Sequence, residues 1–143
     1  MKNDDFDLGQ FLPYALNQAA EATSVGFQKH YRQRYGMLRT EWRVLFHLGR
    51  YGAMTAKSIC DRSSLHKTKV SRAVGALEKK RFLMRQEQPE DRRLETLSLT
   101  RQGKTVYADL HKSAKAYDAA LSAHFSAQER EVLDRCLEKI AKL

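Results

Sequence analysis

The 143-residue chain is 42% hydrophobic and 30% charged, a balance that supports a packed core and excludes a disordered segment. A domain of this size buries roughly 70% of its unfolded surface. No apolar run approaches the ~20 residues needed to cross a bilayer, and Met1–Phe6 is acidic and polar, unlike a signal peptide, so the cytoplasm is the expected location.

The net charge of +9 calls for a polyanionic partner, either nucleic acid or an anionic membrane surface. Its distribution favours nucleic acid. Asp61–Arg101 holds 11 basic and 6 acidic residues, whereas Met1–Arg39 holds 5 against 4 and Gln102–Leu143 holds 7 against 6. The excess is therefore concentrated in the middle of the chain.

In chain order, Leu8, Phe11, Leu12, Ala15, Leu16 and Ala19 recur at helical spacing and predict a first helix running to about Tyr35. Gly36 is a natural stop, with Arg32 and Arg34 placed to favour the negative helix end. Thr40 is positioned to cap a second helix carrying Trp42, Leu45, Phe46 and Leu48, ended by Gly49 or Gly52. Thr55 caps a short third helix, Ala56–Ser63.

A fourth helix is expected from about Leu65 to Lys80, with Val70, Val74 and Leu77 as its buried stripe. Lys67, Thr68, Lys69, Ser71 and Arg72 then face outward, a short-polar and long-basic set suited to a DNA groove. The period next changes to that of strands, at Phe82–Gln86 and Leu94–Thr100. Between them, Glu87 to Arg93 reads as a polar turn with a charged tip. Thr100 caps a fifth helix to about His124. Ser126 and Glu129 form a capping box opening a sixth, with Val132, Leu133, Cys136, Leu137 and Ile140 on one face. Cys60 and Cys136 are far apart and lack zinc spacing, so both read as small buried hydrophobes.

These features resemble the MarR family of winged-helix transcriptional regulators. The match is carried by Trp42-Arg43-Val44-Leu45, Thr68-Lys69-Val70-Ser71-Arg72-Ala73-Val74, Leu77-Glu78-Lys79-Lys80 and Pro89-Glu90-Asp91-Arg92-Arg93. It is completed by Leu97-Ser98-Leu99-Thr100-Arg101-Gln102-Gly103. The resemblance implies a mainly α fold with a small β-hairpin wing, a winged helix-turn-helix with N- and C-terminal dimerisation helices. It implies one domain over 1–143, with a DNA-binding lobe at about 40–101 and dimerisation helices at about 6–36 and 102–143. The function implied is that of a ligand-responsive repressor, binding a pseudo-palindromic double-stranded operator as a homodimer. An activator, or a nonspecific architectural protein, is the alternative.

By the same resemblance, Lys67, Thr68, Lys69, Ser71 and Arg72 face the major groove. Arg93 enters the minor groove from the wing, Arg92 touches phosphate, and Asp91 orients Arg93 or is a plain turn residue. Two departures stand out. Arg81 replaces the glycine usual after the fourth helix and must turn left-handed, or else the helix ends differently. Gly75 lies inside the fourth helix, for a close packing contact or for close approach to DNA.

Many relatives hold a small aromatic or phenolic acid between the dimer helices and the lobe. Phe27, His30, Tyr31, Trp42, Arg43, Phe46, Tyr107 and His111 are the aromatic, imidazole and cationic candidates, or else plain core. The first helix lacks the cysteine of the family's peroxide sensors, and the five histidines are scattered, so no metal or cofactor is expected. Nor is an enzyme, because no phosphate loop, nucleophile motif or carboxylate pair occurs.

Overall fold

The computed structural model describes residues 4–143, with every side chain in that range except that of Arg92. Met1–Asn3, part of the acidic start, lie outside the described residues. The fold is mainly α with one two-stranded antiparallel sheet.

A 3-10 turn at Leu8–Gln10 precedes α1 (Leu12–Tyr35), so the continuous helix expected from Leu8 is broken at extended Phe11. Pro13 is the reason: it has no N–H to donate into a preceding turn and fits only the first turn of a helix. Left-handed Gly36 closes α1, its N–H donating to the Arg32 carbonyl. Only Gly36, Met37 and Leu38 separate α1 from α2 (Arg39–Tyr51). Met37 is fully buried and Leu38 takes the cap position, which places Thr40 inside the helix rather than at its cap. The short connection, not the side-chain preference, sets that boundary.

The Thr55 hydroxyl accepts the Ser58 N–H at 3.2 Å and opens α3 (Ala56–Ser63). The fourth helix, α4 (Lys67–Lys79), starts two residues later than its pattern implied, because His66 Nδ1 caps the Thr68 N–H at 3.2 Å. The hairpin is β1 (Leu83–Gln88) and β2 (Asp91–Leu99). It is followed by α5 (Arg101–Ser122) and α6 (Ala127–Ala141), the latter opened by the expected Ser126–Glu129 box.

The core lies where α2, α4 and the hairpin base meet the end of α1 and the start of α5. Tyr31, Val44, Leu45, Ile59, Val70, Leu77, Leu97 and Leu110 are buried there. Met54 exchanges two backbone hydrogen bonds with Leu97, at 3.0 and 2.8 Å, which stitches the α2–α3 connection onto the sheet.

One junction holds α4, the hairpin and α5 together. Arg81 does take the left-handed conformation, φ 65°, at a cost of about 1–2 kcal/mol for a residue with a Cβ. Thr100 secures the bend: its hydroxyl donates to the Arg81 carbonyl at 2.6 Å and accepts the Gly103 N–H at 3.0 Å. Its own N–H donates to the Phe82 carbonyl at 3.0 Å. Gly103 is needed because a Cβ there would lie 1.9 Å from the Phe82 carbonyl oxygen. The Leu-Thr-x-x-Gly motif is thus a clasp.

Apolar side chains remain uncovered outside this core. Phe6, Leu8, Phe11 and Leu12 at the start, and Val132, Leu133 and Leu137 on α6, are exposed. Cys60 is half-buried and Cys136 exposed, which corrects the expectation that both are buried: among the described residues none of α6 is buried.

Gly103→Ala should lower the unfolding free energy by about 1–3 kcal/mol, the cost of overpacking against fixed backbone. Arg81→Gly should raise it by about 1 kcal/mol by relieving the left-handed residue. Urea denaturation of both variants, read by far-UV circular dichroism, checks the pair of signs.

Candidate nucleic-acid interface and the cavity behind it

Helix α4 has two faces. Val70, Ala73, Val74 and Leu77 pack into the core, while Lys67, Thr68, Lys69, Ser71 and Arg72 are all exposed. All five residues expected to face DNA therefore lie on the outer surface of one helix. Gly75 shares it, and a Cβ there would meet nothing within 4 Å. The packing explanation for Gly75 is thereby overturned; what remains is an outer surface kept low between Ser71 and Lys79.

The hairpin corrects the turn expected at Glu87–Arg93. The strands run further than their alternation implied, the tip is only Pro89-Glu90, and Asp91 and Arg93 belong to β2. Pairing passes from Glu87 opposite Glu95 to Gln88 opposite Asp91, so Arg92–Leu94 bulge from the ladder. A bulge re-aims side chains, and Arg93 projects with 92% of its side chain exposed. The Asp91 carboxylate accepts the Arg93 N–H at 3.0 Å and lies 3.4 Å from its Nε. Asp91 thus contacts both the backbone and the guanidinium of Arg93. The Arg92 side chain is outside the described residues.

Between α3, α4 and the wing lies a cleft of about 530 Å³ lined by Lys57, Cys60, Lys67, Ser71, Arg85 and Arg93, among others. Arg85 was not anticipated. It bonds Glu78 of α4 at 3.0 Å and Glu95 of β2 at 3.1 Å, bracing the wing against the helix. These bonds, chiefly that to Glu95, push the guanidinium pKa further up. No sequence pattern marked Arg85, because the brace spans two elements.

On the opposite side of α2, a cavity of about 300 Å³ is lined by Thr23, Ser24, Phe27, Tyr31, Arg39, Trp42, Arg43, Tyr117 and Asp118, among others. Of the candidate effector contacts, Phe27, Tyr31, Trp42 and Arg43 line it. His30, Phe46, Tyr107 and His111 do not. Phe46 packs on the far side of Trp42, ring centroids 5.2 Å apart, and continues into Tyr107 and His111. His30 packs on Phe27 beside Arg34, and burial together with the Arg34 charge lowers its pKa.

Arg39, Thr23 and Tyr117 are cavity residues the sequence did not single out. Arg39 makes two bonds to Glu21, at 3.1 and 3.2 Å, and those bonds, followed by one to Tyr31, raise its pKa. Tyr117 donates to the Thr23 carbonyl at 2.6 Å, a contact possible only because a Cβ at Gly26 would lie 2.2 Å from that hydroxyl. Nearby, Tyr35 donates a short hydrogen bond to Asp109, which also holds Arg34 at 3.1 Å. Burial and this bond push the Tyr35 pKa up to about 12, while the Tyr35 bond, then Arg34, hold Asp109 below the usual range. The network locks α1 to α5 beside the cavity.

Comparison with known proteins decides the identity of this arrangement. The sequence model of the MarR family matches residues 35–94, from the end of α1 through the wing. The fold superposes on the crystal structure of a MarR/EmrR family transcriptional regulator from Acinetobacter sp. ADP1 with a TM-score of 0.86. The two are 26% identical, and the match covers 96% of both chains. These likenesses support a winged-helix regulator of the MarR type.

The uncharacterized HTH-type transcriptional regulator YwaE of Bacillus subtilis is similar too, 26% identical over 88% of this chain and 74% of its own. A third likeness, of fold alone, is to Bordetella bronchiseptica BpsR, with a TM-score of 0.87 at 17% identity over 96% and 98% of the chains. BpsR is a protein whose DNA binding is regulated by 6-hydroxynicotinic acid. Proteins of the MarR type are DNA-binding transcriptional regulators rather than enzymes. No helix among the described residues of the regulator is long and apolar enough to cross a membrane.

Proposed function

We propose that this MarR-type regulator is a ligand-responsive repressor that binds a pseudo-palindromic operator as a homodimer. The observation that carries the reading is the exposed basic face of α4 standing beside the projecting Arg93. Lys67, Thr68, Lys69, Ser71 and Arg72 enter the major groove. Arg93, with Asp91 orienting it, enters the adjacent minor groove, and Arg92 meets phosphate. The reading lobe is about 40–101, and the helices at about 6–36 and 102–143 pair two copies. The uncovered apolar side chains of the N-terminal segment and α6 support that pairing, because exposed apolar clusters mark partner surfaces.

The effector is a small aromatic acid held in the 300 Å³ cavity, which is the size for a single-ring molecule. Tyr31 and Trp42 lie stacked with ring planes 7° apart, and Arg43 offers a cation at the rim. Binding shifts the dimer to a spacing that no longer fits the operator, which requires unequal affinity for the two conformations. The resemblance in fold to BpsR supports this ligand class.

Arg93→Ala should weaken operator binding by about 1–3 kcal/mol without altering the unfolding midpoint. Fluorescence anisotropy at fixed salt checks this, and a salt series with scrambled duplex separates the alternatives. A nonspecific architectural protein would show the same salt slope but no preference for operator.

Sedimentation should find a dimer at micromolar concentration, and a monomer once Leu133 and Ile140 are replaced by glutamate. A wild-type monomer would remove the two-half-site mechanism. Emission from Trp42, the only tryptophan, should change during titration with aromatic acids that also release operator. A panel that does neither removes the effector reading and leaves the DNA reading intact.

A further inference from the structure

Glu41 is the only charged residue in the buried core among the described residues, with 4% of its surface exposed. It sits in the first turn of α2, between Arg39 and the cavity residues Trp42 and Arg43. Its Oε1 lies 3.5 Å from Nζ of Lys80, the residue that ends α4. That distance is in ion-pair range but too long for a good hydrogen bond. Oε1 accordingly has no hydrogen-bond partner among the described residues.

A buried carboxylate held this way is a poor stabiliser. Desolvating it costs several kcal/mol, and an apolar pair of equal volume generally folds as well or better. What an ion pair supplies and an apolar pair lacks is a directional contact between two particular atoms. Charge-assisted N–H···O contacts settle near 2.7–2.9 Å, so the observed pair is slack, with one oxygen free to take up a shorter bond. An approach of the Lys80 ammonium to Glu41 by less than an ångström is enough to close it.

The two ends of this pair belong to different functional surfaces. Lys80 precedes left-handed Arg81, whose carbonyl is held by Thr100, so its backbone is anchored to the wing base. Glu41 is anchored in the turn of α2 that walls the cavity, where Trp42 packs on Phe27 with centroids 5.2 Å apart. The pair is a direct polar link between these surfaces through the core.

We propose that Glu41 is a positioning residue, whose pair with half-buried Lys80 sets α4 against the cavity wall so that DNA engagement and the packing of Trp42 change together. The proposal rests on the reading of α4 as the DNA-contacting helix. By linkage, whatever alters the cavity then alters DNA affinity through the same contact.

The test uses the full chain and a dye-labelled duplex enriched by the purified protein from a random-sequence pool. Anisotropy of the dye reads binding, and Trp42 emission is recorded at each point. In the wild type, emission should change as the duplex saturates. In Glu41→Gln the change should fall at least fivefold. The same loss is expected in the apolar double variant Glu41→Met with Lys80→Met, which guards against a single substitution that fails to fold. Lys80→Arg, which keeps the charge pair, should retain at least half of the change. A merely structural pair would shift the unfolding midpoint but leave the DNA-induced emission change in place. A full-size change in either pair-breaking variant, or no change in the wild type despite binding, overturns the proposal. Absence of binding by the wild type removes the DNA reading itself, and the proposal with it.

Discussion

The Thr100 clasp is the constraint on which the rest of the molecule depends. One side chain and one backbone amide satisfy the Arg81 and Phe82 carbonyls while capping α5, and Gly103 lets the backbones close to contact. Without it, three segments would meet at a left-handed arginine with unsatisfied polar groups, each costing about 1–3 kcal/mol when buried. With it, the outward face of α4 and the base of the wing have a fixed relation. A DNA-reading surface needs that relation, because base edges and minor groove must be met at once.

Helix α2 carries the other half of the design. One side packs on α4 through the core, and its first turns wall the aromatic cavity. Arg39 ties that wall to α1 through Glu21, and Tyr117 ties α5 to α1 through the Thr23 carbonyl. A ligand that displaces any of these contacts acts on the element that supports α4. Packed cores switch between discrete arrangements rather than deforming smoothly.

Much of this was legible where the cause is local. Thr55, Thr100 and Ser126 announced their helices because a cap is written within four residues, and the concentration of charge at Asp61–Arg101 pointed to nucleic acid. Left-handed Arg81 was legible as a departure from the glycine usual there. The failures have tertiary causes. Thr40 lost its cap to Leu38 because burial of Met37 moved the helix start. Asp91 and Arg93 read as turn residues because the bulge that keeps them in β2 shows in pairing, not in alternation. Arg39, Thr23, Tyr117, Arg85 and Glu41 matter through partners on other elements, and no spacing along one chain reveals such partners.

The claim that binds these parts together is that two copies present α4 and the wing to successive grooves on one face of DNA. Hydroxyl-radical footprinting of the wild-type protein on its enriched duplex tests it most directly. The account predicts two equal protected segments centred about one helical turn apart, with protection extending into the minor groove beyond each. A single protected segment, or uniform protection along the duplex, would contradict it.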